Sequence, residues 1–97
     1  MRQVLWSQLA SRDLDELVEY IARDSEQNAL RVGERNERTA ENLGNMAIGH
    51  FGRVPDTYEI AVRRTSCIIS YAKTDASITL LRIIHGSRDW KEGEWPM

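Results

Sequence analysis

The sequence predicts an α+β fold: a small antiparallel β-sheet packed against an N-terminal helical hairpin, in the order β-α-α-β-β-β. Three observations carry this. Between Ala10 and Ala47, apolar residues recur at helical spacing in two stretches. From Tyr58 onward the pattern changes to alternation and to short runs rich in isoleucine and other strand formers. Between the two regimes lies Gly49-His50-Phe51-Gly52-Arg53-Val54-Pro55-Asp56, whose glycines and proline suit a loop. At 97 residues, the chain is expected to form one domain, residues 1–97.

Val4 and Trp6 alternate with Gln3 and Leu5, which predicts a short opening strand. Ser7 is placed to cap the helix that follows. Ala10, Leu14, Leu17, Val18 and Ile21 form one stripe on a helix of about four turns. Arg12, Asp13, Asp15, Glu16 and Glu19 fall outside that stripe and are expected in water. Arg23-Asp24-Ser25-Glu26 breaks the helix, and Asp24 or Ser25 caps a second one. Ala29, Val32, Ala40, Leu43 and Met46 or Ala47 mark its inner face. Gly33 shares that face, where glycine costs about 1 kcal/mol against alanine; close approach of the first helix would offset it. Asn36 is there too, as a hydrogen-bonded seam residue or a sign that the stripe is rotated. Gly44 is the expected helix stop. A short connection implies an antiparallel hairpin. Tyr58, Ile60 and Val62 then line one side of a strand. Turns at Arg64-Thr65-Ser66 and Thr74-Asp75-Ala76 separate it from Cys67-Ile68-Ile69-Ser70-Tyr71-Ala72 and from the last strand. Three strands joined this way form an antiparallel meander, with one sheet face under the helices and the other partly open to water.

Composition excludes several classes. A net charge of −2 gives no whole-molecule attraction to nucleic acid. The charge is uneven: residues 1–48 hold six arginines against nine acids, and residues 50–88 hold six basic residues against three. A single cysteine, Cys67, excludes an internal disulfide and fits a reducing compartment. No apolar run approaches the ~20 residues needed to cross a bilayer, so no membrane partner is expected. No phosphate loop, metal-ligand spacing or nucleophile motif occurs, so neither a metal nor another cofactor is expected.

The chemistry concentrates at the end. Ile78-Thr79-Leu80-Leu81-Arg82-Ile83-Ile84-His85-Gly86-Ser87-Arg88-Asp89-Trp90 is an apolar strand running into basic and polar groups. Asp13-Leu14-Asp15-Glu16-Leu17 with Tyr20-Ile21-Ala22, Arg31-Val32, Gly52-Arg53-Val54-Pro55 with Thr57 and Glu59, Ile68-Ile69, Tyr71, and Leu81-Arg82-Ile83-Ile84-His85-Gly86 before Arg88-Asp89-Trp90 together resemble the ParE branch of the RelE/ParE toxin superfamily. The ordered set spans nearly the whole chain. The resemblance implies a cytoplasmic toxin of a type II toxin–antitoxin pair, bound in a hetero-oligomer by a cognate antitoxin, ParD-like or other. ParE-like members act on DNA gyrase; RelE-like members cut messenger RNA in the ribosome.

The residues weigh these targets. RNA cleavage needs an acid, a base and cations near the phosphate. His85 is the first acid/base candidate, Glu59 the second, and Arg82 a charge stabiliser. Such acid–base chemistry supplies roughly 10²–10⁴-fold. Yet Arg82 and His85 are three positions apart, so an unbroken strand sends them to opposite faces; a twist or bulge at Ile84 or His85 is needed to unite them. Arg82 paired with Glu59 is the structural alternative. The preferred expectation is a gyrase-binding toxin without bond-breaking chemistry, with Arg53, Arg63, Arg82, His85, Arg88 and Trp90 as target contacts. Messenger RNA cleavage and a degenerate toxin that binds only its antitoxin are the alternatives.

Overall fold

The computed structural model describes residues 1–85. In chain order these form β1 (Gln3–Trp6), α1 (Gln8–Ala22), α2 (Glu26–Asn45), β2 (His50–Phe51), β3 (Tyr58–Ala61), β4 (Cys67–Lys73) and β5 (Ser77–His85). Both helix starts follow from their caps. Ser7 Oγ accepts from the Ala10 N–H at 3.0 Å, and Ser25 Oγ accepts from the Asn28 N–H at 3.1 Å. Ala10 and Leu14 are buried as the stripe requires, and Ala29, Ala40 and Leu43 are buried on α2.

The fold class is as expected, and β3, β4 and β5 form the expected antiparallel meander. The sheet has five strands in the order β1-β5-β4-β3-β2. It is mixed, because β1 pairs parallel with β5, Gln3 opposite Ser77 through Trp6 opposite Leu80. Short turns force neighbouring strands antiparallel, but no turn sets the direction of a strand whose partner lies some seventy residues away.

Two expectations about the chain between helix and meander change. His50 and Phe51, expected in the loop, form a short edge strand on Glu59 and Tyr58. Gly44 does not stop α2; the helix continues through Asn45. Its role is close approach. A Cβ there would stand 2.8 Å from the Arg2 carbonyl oxygen, and the Arg2 N–H donates to the Gly44 carbonyl at 2.7 Å. Gly33 is likewise a contact point, with Val18 Cγ2 at 3.4 Å from its virtual Cβ. Asn36 is fully buried on the inner face and donates through Nδ2 to the Val32 carbonyl at 2.9 Å.

The register sorts the sheet into two faces. Ile60, Ile69 and Ile83 share the helix side with Tyr58, Tyr71 and Leu80, and with Ile78 and Val4. Most of these belong to the core cluster with Leu14, Ala40 and Leu43. The far side carries His50, Glu59, Ser70 and Arg82 in one row across four strands. That side is partly open: Leu5 is exposed, while Glu59, Ser70 and Ile84 are buried.

Candidate functional site

The last strand is shaped by a bulge. Ser70 pairs with Arg82 but Tyr71 pairs with Leu80, so Leu81 is the extra residue. The bulge moves Arg82 off the side that Ile78 and Leu80 occupy. It lies upstream of both Arg82 and His85, so these two still face opposite sides, and the union that a bulge at Ile84 or His85 would give does not occur.

The start of α1 is fitted to this irregularity. Ser7 N–H donates to the Leu80 carbonyl at 3.0 Å, and Ser7 Oγ donates to the Leu81 carbonyl at 3.0 Å. Further along α1, Asp13 accepts the Ile83 backbone N–H at 3.1 Å. The same carboxylate takes Arg82 in a two-pronged pair, Nε to Oδ2 at 2.7 Å and Nη2 to Oδ1 at 2.9 Å. Asp13 therefore continues, with a side chain, the edge that β1 stops covering after Trp6. It is not on the solvated face of α1. The Asp13 hydrogen bond raises the Arg82 pKa above its usual value, against the opposing effect of burial. Glu59 is not the partner of Arg82.

Glu59 serves the loop instead. It is 4% exposed, and its Oε2 accepts the Arg53 N–H at 2.8 Å. The Arg53 side chain is more than half exposed, with Nε 3.8 Å from Oε1. Gly52 N–H closes the loop on the Thr57 carbonyl at 2.8 Å. Tyr71, fully buried, accepts the Gly49 N–H through its hydroxyl at 2.9 Å, and burial pushes its pKa up. Outward from Tyr71 the rings continue: Tyr58 at 5.6 Å and Phe51 a further 5.5 Å away, both stacked. Phe51 is 83% exposed.

Arg63 lies elsewhere. With Arg64 it flanks a cleft of about 340 Å³ whose other wall is Arg35, Arg38, Thr39 and Asn42 of α2. Arg35 Nη1 donates to the Arg64 carbonyl at 3.1 Å. Arg64 holds a left-handed backbone at φ 60°, a conformation that costs a long side chain on the order of 1 kcal/mol. Alongside runs an apolar groove of about 390 Å³ under Met46 and Ile48, sharing Thr39, Asn42 and Arg63 with the basic cleft.

The structure thus brings Glu59 and Arg53 together and aligns Glu59 with Arg82 in one cross-strand row. It separates Arg63 and His85 from them. Arg88 and Trp90 lie outside the described residues. Sequence reasoning missed Asp13, Arg35, Arg38 and Arg64; the available signal was the i, i+3 spacing of Arg35 and Arg38 on one flank of a helix. Among the described residues, no group of three or more His, Cys, Asp or Glu side chains is arranged to hold a metal ion, and no helix is long and apolar enough to cross a membrane.

Comparison with known proteins adds three findings. Residues 4–90 match the family described as ParE toxin of type II toxin-antitoxin system, parDE. A curated protein of Sinorhizobium fredii (strain NBRC 101917 / NGR234) named as a toxin, Y4kP, is 28% identical over 92 residues, covering 94% of this chain and 95% of its own length. A solved chain from the chromosomal ParDE TA system of P. aeruginosa superposes with a TM-score of 0.79 at 21% identity, covering 88% of this chain and 96% of that one. At that identity the superposition speaks for the fold.

Proposed function

The chain belongs to the ParE toxin family of type II toxin–antitoxin systems, and from that premise we propose that it inhibits DNA gyrase by binding and is neutralised in the cytoplasm by a cognate antitoxin. The observation that carries binding over bond-breaking is the dispersal of the three groups a nuclease would need. Glu59 is buried and spent on the Arg53 N–H. Arg82 is held by Asp13 in a two-pronged pair. His85 faces away from both by register. General acid–base work requires its groups within hydrogen-bond reach of one reacting site, and here His85 lies on the opposite sheet face from Glu59 and Arg82.

The surfaces that remain suit partners. Met46, Ile48 and Phe51 are exposed in one short stretch between α2 and β3, and Met46 and Ile48 line the groove that shares Arg63 with the basic cleft. Large apolar side chains near arginine are the usual anchors of protein interfaces. Arg53, Arg63, Arg82, His85, Arg88 and Trp90 are the proposed target contacts.

A supercoiling assay with purified gyrase and relaxed plasmid tests this reading. Micromolar toxin is expected to block supercoiling, and added antitoxin to restore it. No block at that concentration rejects gyrase as the target. In parallel, the toxin is expected to leave messenger RNA intact in a translating extract. Cleavage that disappears in His85→Ala would establish the nuclease reading instead.

A further inference from the structure

The cleft between α2 and the β3–β4 turn is the least explained feature of the molecule. Four guanidinium groups, Arg35, Arg38, Arg63 and Arg64, line it with Thr39 and Asn42, and among the described residues no carboxylate does. The two ion pairs found among the described residues, Arg53 with Glu59 and Arg82 with Asp13, lie elsewhere. The chain as a whole is acidic, so the gathering is local. Two features maintain it: Arg64 sits at a left-handed turn position, and Arg35 pins that turn through the Arg64 carbonyl. Like charges brought together in this way repel unless an anion joins them.

The geometry points to a binding site for the phosphodiester backbone of duplex DNA in this cleft. The setting rests on the gyrase reading above, since gyrase is an enzyme that acts on DNA. The class of ligand follows from the cleft. Arginine forks match phosphate oxygens two at a time. Thr39 and Asn42 add polar side chains of the kind that also contact phosphates. One or two side-chain carboxylates of a peptide would leave much of the charge unanswered. Duplex DNA offers one charge per roughly 1.7 Å of axis, enough to answer all four. The apolar groove next door would then rest on protein while the basic cleft rests on DNA, so the toxin straddles the two.

The test uses the purified toxin and fluorescence anisotropy. With a labelled duplex of about 20 base pairs, four phosphate contacts predict a log–log salt slope of about −3.6, so that raising salt from ~50 to ~200 mM weakens binding roughly 10²-fold. Arg35→Gln/Arg38→Gln is expected to bind DNA at least ~10-fold more weakly and to lower the slope by about 2. Circular dichroism establishes that the variant is folded. If it is not, Arg64→Gln, which leaves α2 untouched, is expected to lower the slope by about 1. Duplex RNA and a poly-glutamate peptide serve as competitors, with RNA expected to compete less well than DNA. Three results overturn the proposal: a parent toxin that does not bind DNA at low salt, folded variants that bind it unchanged, or binding of poly-glutamate in its place. The gyrase reading fails separately. A parent that binds DNA through these arginines yet does not block supercoiling retains the cleft and loses the target; a parent that blocks supercoiling without binding DNA does the reverse.

Discussion

At the scale of single residues, Asp13 does more than its position outside the apolar stripe of α1 suggests. It answers a guanidinium and a backbone N–H that would otherwise lack that partner at the edge of β5. Both side chains are mostly buried, 22% exposed for Arg82 and 14% for Asp13, so breaking the pair leaves a poorly solvated charge. Asp13→Ala is expected to lower unfolding free energy by about 2–3 kcal/mol in urea titrations. A double-mutant cycle with Arg82→Ala should return a coupling of about 1–3 kcal/mol; a coupling near zero would show the pair to be ornamental. Tyr71 gives a pH signature. Burial raises its phenol pKa above 10.0 in the folded chain, so the folded state holds this proton more tightly than the unfolded state. Its contribution to stability is therefore complete below the unfolded value and is lost as pH rises through the folded one. Urea midpoints should fall as pH climbs past about 10. Tyr71→Phe should remove that part of the fall, while costing about 1 kcal/mol at neutral pH for the Gly49 N–H left without its acceptor.

At the scale of elements, the two glycines of α2 separate propensity from packing. Alanine gains about 1 kcal/mol over glycine in a helix interior. At Gly33 the new Cβ meets the end of the Val18 side chain at 3.4 Å, which can adjust, so Gly33→Ala should raise Tm. At Gly44 the Cβ meets the Arg2 carbonyl oxygen at 2.8 Å. That is backbone, held by the Arg2 N–H to Gly44 carbonyl bond, and overpacking costs about 1–3 kcal/mol. Gly44→Ala should therefore lower Tm and weaken hydrogen-exchange protection along β1; a rise in both variants would mean that propensity governs. The same contrast explains what the sequence could show. Both helix starts and the meander were legible, because capping serines, an apolar stripe and alternation are local signals. β2 was not, since two residues have no periodicity. The bulge at Leu81 was hidden because a leucine in an apolar run carries no mark of it. The Asp13–Arg82 pair and the Arg35–Arg64 contact were hidden for another reason: each joins residues far apart in the chain, and only the fold makes them neighbours. Glu59 was legible as special, but its partner turned out to be the loop six residues before it.

For the molecule as a whole, the parallel pairing of β1 with β5 is the longest-range commitment in the fold. Around it the Arg2 Nε donates to the Thr74 carbonyl at 2.8 Å and the Gln3 N–H to the Ala76 carbonyl at 3.0 Å. These residues join the final strand to the helical hairpin through Gly44. Such a contact closes a loop of most of the chain, so its entropy cost is met only once both helices and the meander are in place. β1 should then be the last element to dock and the first to leave. Without it, β5 becomes an edge: nine residues long, largely apolar, with Ile78 and Leu80 at 0% exposure in the intact fold. Long apolar edges recruit other chains. A variant lacking residues 1–6 is expected to unfold with a smaller urea m-value and to associate in size-exclusion chromatography as concentration rises. Adding the missing segment as a separate peptide should restore the monomer, because the edge it covers is the cause. A truncated chain that stays monomeric and unfolds with the full m-value would place the closing contact elsewhere, in the side chains of Ser7, which caps α1, and Asp13, which already clasp the far half of β5.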